Sequence, residues 1–176
     1  MVLRSAGGVT PQLVDNPVAR LLPIATTLLA TVISIQPAHI PGDAALTPAF
    51  TLMAVYHWTI YRPDLLPPLA LFLVGITQDL LAGGPLGVTA LVLLLARAVV
   101  LRQRRHFVNR PFPFVWAGFT MLSGGAMMFL WTLHCLLDRV VADFRGTVFR
   151  AVLTISMFPI ASFLLGRAQR TLMGAG

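Results

Sequence analysis

Residues 61–87 read YRPDLLPPLALFLVGITQDLLAGGPLG. The apolar run 65–82 inside this stretch would be about 27 Å long as a helix at 1.5 Å per residue, enough for a hydrocarbon core of ~30 Å. Arg62-Pro63-Asp64 makes a tight corner before it. Asp64 is placed to act as the N-cap of the span, its carboxylate accepting first-turn N–H groups at the positive helix end. Pro67 and Pro68 fall in that first turn, where N–H groups lack intrahelical partners anyway. Gly83-Gly84-Pro85 closes the helix, since glycine turns left-handed and proline forbids continuation. Two readings of these corners stand side by side: sharp turns at either end of a span, or an Arg62 corner that meets a partner.

Asp79 demands more. It sits in the last turn of its helix, at the negative end of the macrodipole and about 5 Å inside the outer boundary, where an ionised carboxylate turns to a protein interior or a wet cavity. Such a position calls for a cation. By depth, Arg150, about one turn into the last apolar run from the same side, is expected to approach Asp79 within salt-bridge distance. The alternative is that Asp79 reaches the outer interface by itself. Arg97 lies too deep toward the other side. There is no second intramembrane carboxylate to which a proton could pass, which argues against a relay.

Composition sets the class. Of 176 residues, 57% are hydrophobic and 11% charged, against about 25% charged in a soluble domain. Mean hydropathy is +0.82. The net charge of +7 comes from 13 arginines spread between apolar runs, mostly at segment ends, which is how topology charges are distributed and not how nucleic-acid surfaces are built. The lone Cys135 forms no intrachain disulfide and says nothing of redox compartment. The polar stretch preceding the first apolar run reads as the lead-in to a retained span rather than a cleaved signal.

The expected fold is all-α, a polytopic integral membrane protein with six transmembrane helices near 18–36, 44–61, 65–82, 86–101, 112–136 and 147–166. The first follows Asp15-Asn16-Pro17, a cap and a helix-starting proline. A cytoplasmic segment 1–17, a membrane domain 18–166 and a cytoplasmic tail 167–176 complete the organisation. Arg4 and Arg20, then Arg62, then Arg102, Arg104, Arg105 and Arg110, and finally Arg167 and Arg170 fall on one side. Loops 37–43 and 82–85 carry none, and Arg139 and Arg145 are balanced by Asp138 and Asp143. By the positive-inside rule both termini are cytoplasmic. Connections of about ten residues at most leave no room for a soluble catalytic or binding domain.

Other features carry weaker signals. His57, flanked by Tyr56, Trp58 and Tyr61, reads as an interfacial anchor, and Arg97 as a side chain that snorkels to the cytoplasmic surface. Gly118, Ser123, Gly124, Gly125 and Ala126 form a small-residue patch fit either for packing within the bundle or for docking a partner's helix. Enzyme chemistry is not expected. The chain has no Glu, and the histidines at 39, 57, 106 and 134 show no metal spacing. Ser123 and His134 would lie about 16 Å apart along one helix. Residues 83–87 lack the Lys-Ser/Thr of a nucleotide loop, so no cofactor is expected.

Tyr56-His57-Trp58, Tyr61-Arg62-Pro63-Asp64-Leu65-Leu66-Pro67-Pro68, Gly75 with Gln78-Asp79-Leu80-Leu81, and Gly84-Pro85-Leu86-Gly87, followed by the apolar run with Arg97, resemble the MreD family of rod shape-determining proteins. The resemblance covers the central quarter of the chain. It implies a non-catalytic, multi-pass inner-membrane subunit of the bacterial cell-elongation machinery. The implied partner is an MreC-like single-span protein, through which MreB, RodZ and the RodA–transpeptidase pair that builds peptidoglycan are connected. Nucleic acid is not among the implied partners. The positions matching the family pattern are Arg62, Pro63, Asp64, Pro67, Gly75, Gln78, Asp79, Gly84, Pro85 and Gly87. A rival reading is the substrate-binding subunit of an energy-coupling-factor vitamin transporter. That reading needs an outward polar pocket and a small-residue docking face on the first span, where only Ala30 and Ser34 have the spacing.

Overall fold

The computed structural model describes residues 17–35, 47–107, 111–138 and 144–173. Among them are six α-helices, one 3-10 turn and no strand: α1 (Pro17–Ile35), α2 (Phe50–Tyr61), α3 (Pro68–Ala82), α4 (Val88–Phe107), α5 (Phe112–Asp138) and α6 (Phe144–Met173). Residues 1–16, the loop 37–43, Arg110 and Arg139, on which part of the charge reading rests, lie outside the described residues.

Hydroxyl side chains turn inward on several helices while many large apolar side chains face outward. On α1, Thr27, Thr31 and Ser34 are buried, while Leu28, Leu29, Val32 and Ile33 are exposed. Met121 is 82% exposed and Leu136 73%, whereas Thr154 and Ser123 are fully buried. In water such an apolar surface would be an aggregation liability, whereas in lipid it is the solvated face. The stretches Phe112–Leu137 and Phe144–Ala168, within α5 and α6, are by length and composition long and apolar enough to cross a membrane. The apolar stretches Leu22–Ser34 and Pro68–Ala82 are shorter.

The centre of the bundle is α2, packed against α1, α4 and α6, with every residue from Thr51 to Ile60 buried. At 12 residues it is about 18 Å long, shorter than the expected 44–61 span. A helix apolar on all sides belongs in an interior. Its ends are capped by its neighbours. The Ala49 N–H donates to Thr154 Oγ1 of α6 (3.0 Å) and the Thr51 N–H to Ser34 Oγ of α1 (3.4 Å). At the other end Arg104 of α4 donates through Nε to the Ile60 carbonyl (2.7 Å). Backbone groups at helix ends have no partner of their own and lipid supplies none, so these bonds fix where α2 sits. Thr51 Oγ1 donates to Thr31 Oγ1 (3.2 Å) and Trp58 Nε1 to Thr26 Oγ1 (2.9 Å), completing a polar seam between α1 and α2.

Aromatic packing joins α2 to the last two helices. Tyr56, 1% exposed, donates its hydroxyl to the Val115 carbonyl (2.8 Å) and meets Phe119 and Phe158 edge-on. His57 and Trp58 are 3% and 0% exposed. The expected interfacial belt is therefore a core cluster, because α2 passes through the interior; only Tyr61 among these rings is exposed. On α6, Pro159 has no N–H for the Ile155 carbonyl one turn earlier. Trp116 of α5 supplies the donor, Nε1 to Ile155 O at 3.1 Å. Trp116→Phe keeps an aromatic ring, smaller by the pyrrole portion, and removes that donor. Thermal unfolding in detergent should register a loss of about 1 kcal/mol.

Candidate functional site

The residues singled out from the sequence fall at the two ends of α3, with Gly75 between. At the first end the chain leaves α2 at Arg62, whose N–H donates to the Trp58 carbonyl (2.8 Å), and enters a 3-10 turn, Pro63–Leu65. Three prolines (63, 67 and 68) hold φ in this stretch. Pro67 is extended and occupies the N-cap of α3, with Pro68 as its first residue. Asp64 is thus displaced from the capping role expected of it. The 3-10 turn consumes residues 63–65 and leaves Asp64 exposed in mid-turn. Arg62 and Pro67 are exposed as well, and Pro63 is buried beneath them.

Arg97, expected to snorkel to the cytoplasmic surface, instead braces the corner. Arg97 of α4 donates through Nε to the Leu66 carbonyl (3.2 Å) and through Nη2 to the Pro63 carbonyl (3.4 Å). Arg104, two turns further along α4, holds Ile60 as described. A guanidinium serves several carbonyls at once because its donors form a planar fork. The prolines remove N–H groups from this stretch, so the Pro63 carbonyl has one local donor, the Leu66 N–H at 3.4 Å, and the arginine supplies further donors to both carbonyls. The spacing of Arg97 and Arg104 was visible in the sequence; what they bind was not, since acceptors on a backbone leave no residue-type signature.

Gly75 lies at the crossing of α3 and α4. A Cβ placed on it would stand 2.6 Å from the Ala90 backbone nitrogen and 2.7 Å from the Ala90 Cβ, and closer still to the Ala90 Cα. Only a bare α-carbon admits this approach.

At the second end α3 stops at Gly83, which is left-handed (φ 69°) and donates its N–H to the Asp79 carbonyl. The Gly84 N–H reaches the same carbonyl (3.3 Å). The chain then turns through Pro85 and Leu86 to Gly87 (φ 91°), the residue before α4. The Asp79 carboxylate, 4% exposed, accepts the Gly87 N–H at 2.7 Å and the Thr89 N–H at 3.2 Å. One residue therefore closes α3 with its carbonyl and opens α4 with its side chain. Its charge, misplaced at the C-terminus of its own helix, lies at the positive N-terminus of the next.

This corrects the expected ion pair. Asp79 and Arg150 line the same cavity, but Arg150 donates its Nε to the Thr47 carbonyl (3.1 Å), and among the described residues no ion pair joins the two. The cation sought for Asp79 is a helix end. The cavity, about 570 Å³, lies between the starts of α2, α4 and α6 and the ends of α3 and α5. Gln78, Thr89, His134 and Thr51 contribute to its wall. His134 donates Nδ1–H to the Leu130 carbonyl (2.8 Å). Among the described residues no three His, Cys or Asp side chains gather to hold a metal ion.

The small-residue patch of α5 divides. Ser123 is fully buried and Ala126 packs against the core, while a Cβ on Gly124 or Gly125 would meet nothing within 4 Å. Beside this open face runs a groove of about 480 Å³ between α4 and α5, lined by Ala96, Ala117, Gly118, Met121, Gly125 and Phe129 among others.

A family model for the rod shape-determining protein MreD matches residues 17–168, nearly the whole helical bundle. The chain belongs to the MreD family. Comparison with curated proteins and with solved structures returned no match. The match reaches α1, α5 and α6, beyond the central quarter of the chain that carries the sequence resemblance. Membership in MreD ties the chain to rod-shape determination and to the membrane, in keeping with the apolar surface of its helices.

Proposed function

We propose that this MreD protein is a non-catalytic inner-membrane subunit of the cell-elongation complex, crossing the bilayer six times with both termini in the cytoplasm. It works by lateral contact with an MreC-like single-span protein, and through it with MreB, RodZ and the RodA–transpeptidase pair in peptidoglycan synthesis. The observation that carries this reading is the open face of α5. Glycine in a helix costs roughly 1 kcal/mol relative to alanine, and Gly124 and Gly125 recover none of that against their own bundle. A second helix packed on them would use the absence of side chains as intramembrane helix pairs do. The exposed Arg62–Pro67 corner adds a second surface, on the same end of the bundle as the exposed Arg102 and Arg105.

Co-expression with the MreC-like protein tests the proposal. Gly125→Leu fills the groove from the lipid side and leaves the core untouched. It should keep the thermal stability of the MreD protein while reducing co-purified partner at least tenfold; undiminished partner would refute the assignment of this face. Arg62→Glu at the corner should reduce recovery of the assembled complex without unfolding the bundle.

The transporter reading gains one feature and loses another. A polar cavity exists, as a ligand-binding subunit requires. The Ala30/Ser34 docking face does not, because Ser34 is 6% exposed and bonded to Thr51 inside the bundle. Failure of the MreC-like protein to co-purify, together with thermal stabilisation by a vitamin, would favour that reading.

A further inference from the structure

The cavity at the α3–α4 turn has hydrogen-bonding capacity that the bundle does not use. The Arg150 guanidinium carries five N–H donors, and within the described residues it gives one of them, from Nε, to the Thr47 carbonyl. Its neighbour Asp79 makes no ion pair with it among the described residues; that carboxylate accepts the N–H groups of Gly87 and Thr89. Across the same cavity the Gln78 Oε1 is buried with no hydrogen-bond partner. An intramembrane arginine with unspent donors and a buried amide oxygen with no donor are both costly as they stand. Both costs fall if one molecule brings an anionic group to the first and a hydroxyl or ammonium to the second. The volume, about 570 Å³, lies within the 300–1,000 Å³ range of small-ligand sites.

We propose that this cavity binds an anionic head group bearing a neighbouring hydrogen-bond donor, a phosphate or carboxylate with hydroxyls, held by Arg150 and Gln78. The inference is independent of where the MreC-like partner docks. The groove beside Gly125 lies between α4 and α5, and Arg150 and Gln78 take no part in lining it. Phosphoglycerol is the simplest probe, and it can come from a lipid or from solution. The protein in nanodiscs of phosphatidylcholine is compared with the same protein in discs containing phosphatidylglycerol, and separately in phosphatidylcholine discs with added glycerol 3-phosphate, the unfolding midpoint being read in each.

The expected result is a midpoint raised by one of these additions, abolished in Arg150→Gln and reduced in Gln78→Leu, with apparent affinity at least tenfold weaker in both. Arg105→Gln, an exposed arginine at the other end of the bundle, should leave it unchanged. A rise with the lipid alone identifies a head group as the source, and a rise with glycerol 3-phosphate alone a soluble anion. If Arg150→Gln fails to fold, Arg150→Lys, which keeps the charge and loses the fork, should give an intermediate shift. No shift with either probe overturns the proposal. So does a shift that survives in folded Arg150→Gln, that is undiminished in Gln78→Leu, or that disappears equally in Arg105→Gln.

Discussion

Gly75→Leu should leave this MreD protein unable to form its α3–α4 pair. The reason is geometric. Even a single Cβ at this position would overlap the backbone of Ala90, and backbone cannot rotate aside as a side chain can. Gly75→Ala should cost about 3 kcal/mol, at the upper end of over-packing in tight cores. At 2–4 °C per kcal/mol for chains of this size, the unfolding midpoint should fall by roughly 6–12 °C. The larger Gly75→Leu must separate the helices and with them the Arg97 and Asp79 contacts at either end of α3, so the expected readout is loss of folded protein after solubilisation. Ala90→Gly should restore only part of the Gly75→Ala deficit, since two of the three nearest Ala90 atoms are backbone. A midpoint for Gly75→Ala within 2 °C of the parent would show that the helices do not approach as described.

Asp79→Ala should be the second most damaging change, and its partner in energy is the start of α4. Removing the carboxylate strands the Gly87 and Thr89 N–H groups in a buried turn and takes an anion from a helix N-terminus. Together these are worth about 3 kcal/mol. Asp79→Asn keeps the shape but points an amide donor or an uncharged oxygen at the same N–H groups, and should cost about half as much. A double-mutant cycle separates this account from the ion pair that depth alone had favoured. With Asp79 held by α4 and Arg150 by Thr47, Asp79→Asn and Arg150→Gln should add to within about 0.5 kcal/mol. A coupling above about 1.5 kcal/mol would mean the two groups do share a bond.

The all-helical class, both limits of α1 and α5 and the end of α3 were legible because hydrophobic runs and their proline and glycine punctuation are local signals, whereas α4 and α6 continue past the apolar runs that located them. Gly83 ends α3 in the left-handed conformation its type permits, and α5 begins and ends within two residues of the apolar run. The departures have two causes. The length of α2 and the depth of His57 depend on what packs around that helix, whereas the role of Asp64 and the partner of Asp79 depend on how the backbone turns beside each residue. Asp64 had the right residue type for a cap, but three prolines nearby had already fixed the backbone, and Pro67 took the position. For Asp79, depth alone points to a charged residue, Arg150. The true counter-charge is distributed over peptide groups that the five-residue turn 83–87 folds back, and peptide dipoles have no letter in a sequence. Arg97, Arg104 and Thr154 were missed as bracing residues for the same reason, because what they bind is main chain.

The capping of α2 bears on how this chain is made. The N–H of Ala49, the residue that leads into α2, is satisfied by a threonine 105 residues downstream, and the last turn of the helix by an arginine of α4. While the ribosome has delivered only the first two hydrophobic segments, a 12-residue helix with open ends has neither the length to span lipid nor the partners to hide its peptide groups. Its settling into place must wait for the final helix to leave the translocon. The last segment synthesised is thus the one that locks the middle of the molecule, and chains truncated before α6 should reach the quality-control proteases instead of the elongation machinery.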